Sequence, residues 1–494
     1  MADAPSAPTA SSGVASAEWL AGGPGGADRL AQLLPAALRG MAAGTAERGG
    51  PVPAGGPAAV AATLARTLSA DGLPRHGVGA EQALEELSAL LAAGSADPGD
   101  PACAAHLHCP PLAVSVAADV VASALNPSMD SWDQAPVASE IEREFATGIA
   151  RLCYPDAARP DAVITSGGTE SNLLGLLLAR ESAVTRPVCG ANSHHSVARA
   201  AWLLGLPSPV VVPCVDDRMV PSALAEALAP LGAQAVVVAT AGTTNTGRID
   251  PLPEIAEICR RTGARLHVDA AYGGLALCSE TLRSRVAGLE LADSVALDLH
   301  KFGWQPVAAG VFAARGEADL QALTVRAEYL NADDDTEAGL PDLLGRSLRT
   351  SRRPDAFRMA VTLRALGTAG IGALVERCCA NASGVHAMVE DHPALRSWGP
   401  PELSTVVFRP VAADGAAGDE LVAQVRRTLL EDGTAVIGRG SLPTGPDGEA
   451  QLWLKLTLLH PHTRPADYRA LLDAVATVAA DLRTSVTRES PVAS

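Results

Sequence analysis

Three short segments carry side chains whose types and spacing suit one kind of chemistry. In Asp298-Leu299-His300-Lys301 an amine follows directly on the apolar run Ser294–Leu297. In Leu266-His267-Val268-Asp269-Ala270-Ala271-Tyr272-Gly273-Gly274 a carboxylate ends an apolar run and small residues follow. Carboxylates at strand C-termini open into the crevice where α/β proteins bind ligands, although an Asp there also caps a turn. In Thr165-Ser166-Gly167-Gly168-Thr169-Glu170-Ser171-Asn172 small residues lead into a Leu-rich helix. Such a turn lets backbone N–H groups and the Thr169 hydroxyl surround a phosphate, with the helix N-terminus adding partial positive charge. A tight strand-to-helix connection with a capping residue is the plain alternative. Taken together, the three supply what pyridoxal-5'-phosphate (PLP) chemistry asks of a protein: a Schiff-base lysine, a carboxylate for the pyridine nitrogen and a phosphate cradle.

Positioning these groups requires strands and helices in alternation. Between about 101 and 366, strands are expected at 162–165, 210–215, 235–239, 265–268, 294–297 and 310–314. Helices are expected at 170–180, 221–228, 252–262 and 317–326. Apolar strands separated by helices indicate a largely parallel sheet buried on both faces. Residues 1–15, rich in Ala, Ser and Pro, read as a disordered tail. Residues 16–100 hold helical stretches near 27–41 and 81–93, separated by the Gly- and Pro-rich 49–57, too little for an independent core. Residues 367–494 read as a small α+β domain, with a helix to about 389, strands at 405–408, 434–437 and 452–458, and a last helix at 465–482.

Composition excludes several classes. A net charge of -17 argues against a nucleic-acid partner, which needs clustered Lys and Arg. The first basic residue after Met1 is Arg29, no long apolar run precedes it, and no uninterrupted apolar stretch reaches membrane-spanning length. A cytoplasmic protein with no membrane partner is expected. Nine scattered cysteines without a C-x-x-C pair fit reduced thiols better than a disulfide framework. His106-Leu107-His108-Cys109 and the pair His460 and His462 have metal-ligating types but no second ligand group at a recognisable spacing, so packing or pocket lining is expected and no metal.

The chain resembles the group II PLP-dependent amino-acid decarboxylases of the aspartate-aminotransferase fold (PLP fold type I). The carriers are S-M-D-S-W-D-Q-A-P at Ser128–Pro136, T-S-G-G-T-E-S-N at Thr165–Asn172 and S-H-H-S-V at Ser193–Val197. A-T-A-G-T-T at Ala239–Thr244, H-V-D-A-A-Y at His267–Tyr272 and D-L-H-K at Asp298–Lys301 complete them. The resemblance implies that Lys301 attaches the cofactor, with His300 beside it, and that Asp269 keeps the pyridine nitrogen protonated so that the ring takes up the electron pair left by CO2. It implies that His194, rather than His195, stacks on the ring, and that Gly168, Thr169, Thr244 and Ala271 contact the cofactor. A homodimer with its active site at the subunit interface is likewise implied. The family supplies a tyrosine from a catalytic loop as proton donor, and the corresponding stretch 333–350 has none. His106 or a water is then left as donor, and some relatives without that tyrosine form aldehydes.

The wording of the Ser128–Pro136 and Asp298–Pro306 segments looks closest to the L-2,4-diaminobutyrate and siderophore-type lysine decarboxylases. Where aromatic-substrate relatives have an apolar residue, this chain has Asp130, whose carboxylate suits the ammonium of a basic substrate such as 2,4-diaminobutyrate, ornithine or lysine. Asp130 and Asp133 capping turns around Trp132 is the alternative. Aromatic-amino-acid decarboxylase, decarboxylating aldehyde synthase and a non-catalytic PLP-fold protein are the competing functions, and Asp130 and His106 are the expected substrate contacts.

Overall fold

The computed structural model describes residues 16–67, 73–324, 327, 330–415, 417–443 and 448–489; the tail expected at 1–15 lies outside them. The chain divides into two compact units. The first comprises residues up to Cys103, with Ala124–Asn126 and Arg426–Val436; the second comprises Ala104–Ser123, Pro127–Val425 and Ile437–Ser494.

In the first unit the helices Gly26–Arg48 and Ala80–Gly94 lie side by side. Gly40 and Gly44 allow this, because a Cβ on either would run into the carbonyls of Glu85 and Ala89. Arg48 closes the pair, donating to Ala92 O at 2.7 Å and pairing with Asp97 at 2.6 Å. A third helix, Gly56–Thr67, begins inside the segment whose Gly and Pro content predicts a linker.

The second unit is built on a seven-stranded sheet: β1 (Asp161–Thr165), β2 (Arg186–Gly190), β3 (Val210–Val212), β4 (Ala235–Thr240), β5 (Arg265–Asp269), β6 (Ser294–Asp298) and β7 (Gly310–Ala314). The order is β1-β7-β6-β5-β4-β2-β3. Only β7 runs against its neighbours, with Phe312 opposite both Val163 and Ala296. Alternation along β4 shows why both faces are covered. Val236 and Val238 pack with Leu176, Val197 and Ala200 of the helices Gly168–Glu181 and Ser196–Leu203. Ala235, Val237 and Ala239 face the larger core with Phe145, Ile255, Met359 and Val375. The expected mostly parallel α/β sheet is therefore present. β2 escaped the sequence reading because Arg-Pro-Val-Cys-Gly has too few apolar residues to register as a strand.

A four-stranded antiparallel sheet follows: β8 (Leu395–Ser397), β9 (Thr405–Pro410), β10 (Gly438–Pro443) and β11 (Ala450–Thr457), ordered β8-β9-β11-β10. The strand expected at 434–437 is replaced by β10, which has almost no apolar alternation but pairs along β11. The helix expected from 367 begins at Asp355 and runs to Asp391, crossing the expected domain boundary with a break at Gly367 (φ 65°, ψ 172°). This helix is long and apolar enough to cross a membrane by length and composition, yet Met359, Val375, Cys378, Val385 and Val389 are fully buried in the protein. The helix expected over 317–326 is a single α turn, Glu317–Leu320, continued by a 3-10 turn to Leu323, and its last two residues lie outside the described chain.

Candidate active site

Because β1, β2, β4, β5 and β6 are parallel, their C-terminal ends share one edge of the sheet, where ligands bind in open α/β sheets. A cavity of about 460 Å³ opens there, lined among others by His106, Gly168, Thr169, His194, Thr244, Asp269, Ala271, His300 and Lys301. The structure thus brings together every expected cofactor contact, and His106 with them.

β1 leads through Ser166 and Gly167 into the helix Gly168–Glu181. Gly167 has φ 149°, and a Cβ there would lie 2.8 Å from the His300 ring; one on Gly168 would lie 2.9 Å from Ala271 Cβ. Only glycines permit this close approach, which leaves a backbone-lined hollow at a helix N-terminus. Glu170 Oε2 accepts from Ser166 N–H at 2.6 Å and fixes the turn.

Asp269 ends β5, its carboxylate buried and held from both sides. Ala271 N–H donates to Oδ1 at 3.1 Å and Asn172 Nδ2 donates to Oδ2 at 2.7 Å. A carboxylate only accepts in this role, so the Asn172 amide must present its nitrogen there and its oxygen to His267 Nε2, 2.9 Å away. Burial pushes the His267 pKa down to about 4 although Asp269 opposes the shift, so the ring is neutral, donates through Nε2 and accepts at Nδ1 from the Ser294 hydroxyl at 2.9 Å. The same Asn172 nitrogen donates to Ser196 Oγ at 2.8 Å, and Ser196 Oγ in turn donates to His194 Nδ1 at 2.8 Å. Burial lowers the pKa of His194 too, helped by His195 and Lys301 and opposed by Asp269 and Asp298. A neutral His194 carrying its proton on Nε2 follows.

Lys301 sits one residue short of the end of the short helix Leu299–Phe302, at the end of β6, with Nζ 3.0 Å from Asp298 Oδ2. His300 Nε2 is 3.4 Å from the same oxygen, while His300 Nδ1 lies 3.0 Å from the carbonyl oxygen and 3.1 Å from the N–H of Ala309. Burial lowers the His300 pKa, with Asp298 opposing. Asp298 Oδ1 is buried without a protein partner, an orphaned acceptor on the cavity wall. Asn172, Ser196, His267 and Asp298 carry no role in the sequence reading, although Asn172, Ser196 and His267 lie inside its motifs and Asp298 opens one. Their signal is polarity beside an apolar run.

Asp130 stands elsewhere. It does not line the cavity; its buried carboxylate accepts from Gln134 Nε2 at 2.9 Å and Ser351 Oγ at 3.2 Å.

A glycine-walled hollow at a helix N-terminus, a cavity-facing lysine with a carboxylate beside it and a second, doubly held carboxylate 32 residues before it define a PLP-dependent enzyme of the aspartate-aminotransferase architecture. The chain belongs to the pyridoxal-dependent decarboxylase family, whose conserved domain matches residues 65–411. It is 38% identical over 430 residues, 84% of this chain and 85% of the other, to an L-2,4-diaminobutyrate decarboxylase of Rhizobium meliloti. It is 33% identical over 436 residues, 81% and 84% of the two chains, to one of Acinetobacter baumannii. Among solved structures it resembles the glutamate decarboxylase domain of a diaminobutyrate-pyruvate transaminase and L-2,4-diaminobutyrate decarboxylase from Vibrio parahaemolyticus, with a TM-score of 0.82, 27% identity and coverage of 94% and 98%.

The enzyme is therefore a PLP-dependent carboxy-lyase, and its residues fit the cofactor. Lys301 would attach it, the Ser166–Thr169 turn would hold its phosphate and Asp269 would face its ring nitrogen. When bound, the cofactor supplies a conjugated, positively charged ring that accepts the electron pair of the bond to CO2. The protein's part is electrostatic and geometric. Asn172 and Ala271 aim Asp269, Ser196 holds the His194 ring at Nδ1, and Asp298 holds the Lys301 ammonium until the amine is needed.

Proposed function

We propose that this enzyme decarboxylates L-2,4-diaminobutyrate or a closely related diamino acid to a diamine and CO2, acting as a cytoplasmic homodimer. The observation that carries the substrate reading is kinship: two relatives matched over more than four fifths of either chain are L-2,4-diaminobutyrate decarboxylases. Nine free cysteines suit a reducing compartment. The paired helices of the first unit leave Leu38, Met41, Leu87 and Leu91 exposed, an apolar surface of the kind a second protomer covers.

Asp130 adds a chemical reason. Its carboxylate is buried with neutral partners only, and no Lys or Arg lies within ion-pair distance among the described residues. Such a carboxylate favours an ammonium. On this reading it would serve the site of the other protomer, because it does not line the cavity of its own chain.

The test is a substrate panel on the PLP-loaded protein, following CO2 and amine. 2,4-Diaminobutyrate should give propane-1,3-diamine with the highest kcat/KM. Preference for aspartate, glutamate or aromatic substrates would contradict the reading. Asp130→Asn should lower kcat/KM for the diamino acid by about ten- to a hundredfold, the worth of a charge-assisted hydrogen bond, and change an uncharged substrate of similar size much less. Mixed dimers of Lys301→Ala and Asp130→Asn protomers should regain activity, because one site then has both residues. Equal losses on both substrates, or no regain, would remove Asp130 from recognition.

A further inference from the structure

The chain contains 38 basic residues, of which 36 are arginines and only two, Lys301 and Lys455, are lysines. Both lysines line the one cavity described above. A chain that meets other needs for positive charge with arginine uses lysine only here, and the difference between the two is chemical. Guanidinium keeps its proton at any ordinary pH, whereas an ammonium can give one up. For Lys301 that need is evident, because its amine attaches the cofactor.

Lys455 lies on β11 between the fully buried Leu454 and Leu456, and is itself 8% exposed. Among the described residues its Nζ donates one hydrogen bond, to the carbonyl of Thr244. An ammonium has three N–H donors, and no carboxylate lies within ion-pair distance among the described residues. The one carboxylate that acts on it, Asp217, is taken up by the hydroxyls of Thr243 and Thr246, each 2.5 Å away. The remaining donors therefore belong to the cavity.

Decarboxylation leaves an electron pair on the carbon that held CO2, and the amine forms only when a proton arrives there. Four of the other cavity groups are committed, which leaves His106, the donor expected from the sequence, as the rival of Lys455. Tyr272 Oη is 2.9 Å from both Ser404 Oγ and Thr405 Oγ1, His194 and His300 are shifted by burial toward their neutral forms, and Lys301 is paired with Asp298. We propose that Lys455 is the general acid of this enzyme, a catalytic residue that delivers the proton to the carbon from which CO2 departs. This rests on the decarboxylase reading. The bond between carbon and carboxylate breaks, CO2 leaves without the electron pair, and that pair forms a C–H bond with a proton from the Lys455 ammonium. The neutral amine then regains a proton from solvent. Burial, opposed by Asp217, brings the Lys455 pKa down to about 8, which suits a group that must hold and release a proton near neutral pH. The other titratable groups lining the cavity are His106, His194, Asp269, Tyr272, Asp298, His300 and Lys301.

The test compares Lys455→Arg, which keeps the charge without a transferable proton, with Lys455→Met, which keeps neither. Both should bind PLP with wild-type absorbance and lose about 10²- to 10⁴-fold in amine formation. Protein labelled with 13Cε-lysine gives two lysine signals, and in the PLP-loaded enzyme that of Lys455 should titrate with a midpoint near 8. Wild-type amine formation by Lys455→Arg would overturn the proposal, since charge alone would then suffice. A Lys455 signal that stays charged at strongly alkaline pH would overturn it without any variant, so the question is decided even if both variants fail to fold. If the wild type releases no CO2 from any amino acid, the decarboxylase reading falls as well. If it does and Lys455→Arg matches it, only this proposal falls.

Discussion

One side-chain nitrogen, Asn172 Nδ2, lies 2.7 Å from Asp269 Oδ2 and 2.8 Å from Ser196 Oγ. A single buried amide thereby joins the carboxylate that would face the ring nitrogen to the serine that holds His194. Replacing it with Leu, close in size, should cost about ten- to a hundredfold in kcat while PLP stays bound, because a hydrogen bond to a charged group is lost. Asp269→Asn, which removes the charge itself, should cost more. Steady-state kinetics on both variants checks the order, and an Asn172→Leu enzyme with wild-type kcat would contradict it.

His267 makes stability depend on acid. Its pKa is about 4 in the folded protein against an ordinary value of 6.5. A depressed pKa means that the unfolded chain binds the proton more readily, so the contribution is complete above about 6.5 and is lost as the pH falls toward 4. At most about 3 kcal/mol is involved for this one residue, and the lowered values of His194 and His300 act in the same direction. Denaturant unfolding from pH 7 to pH 4 should show the fall, and His267→Gln should flatten it. A stability independent of pH over that range would contradict the assignment of a neutral His267.

Glu142 and Arg352 form a two-pronged pair at 2.6 Å on each arm, with side chains 5% and 1% exposed. The pair secures the segment beside Asp130, where Met129 N–H donates to Arg352 O and Ser351 donates to Asp130. Glu142→Ala strands a buried guanidinium and should cost about 3–5 kcal/mol, whereas the double replacement Glu142→Leu with Arg352→Met should cost much less. Thermal unfolding distinguishes the two, and equal losses would mean that packing rather than charge is at stake.

Much of this was legible in the sequence because apolar strands ending in polar residues leave a strong pattern. β7 and the helices Pro221–Leu228 and Leu252–Thr262 have the expected ends, and the expected cofactor contacts from Gly168 to Lys301 meet in one cavity. What was hidden depends on contacts made far along the chain. Asn172 reaches Asp269 across 97 residues and Lys455 reaches Thr244 across 211, distances at which no local spacing carries information. β10 was missed because an edge strand of Gly, Arg and Ser takes its conformation from its partner β11 rather than from its own side chains.

Lys301 is the lysine whose position at the end of β6 would let it hold the cofactor. Because the chain has only two lysines, borohydride reduction of the yellow, PLP-loaded protein followed by peptide mass spectrometry gives an unambiguous answer. The reduced pyridoxyl group should be found on the peptide containing Lys301 and on no peptide containing Lys455, and Lys301→Ala should be colourless. A wild-type protein that cannot be loaded with PLP, or a label found on Lys455, would contradict the account.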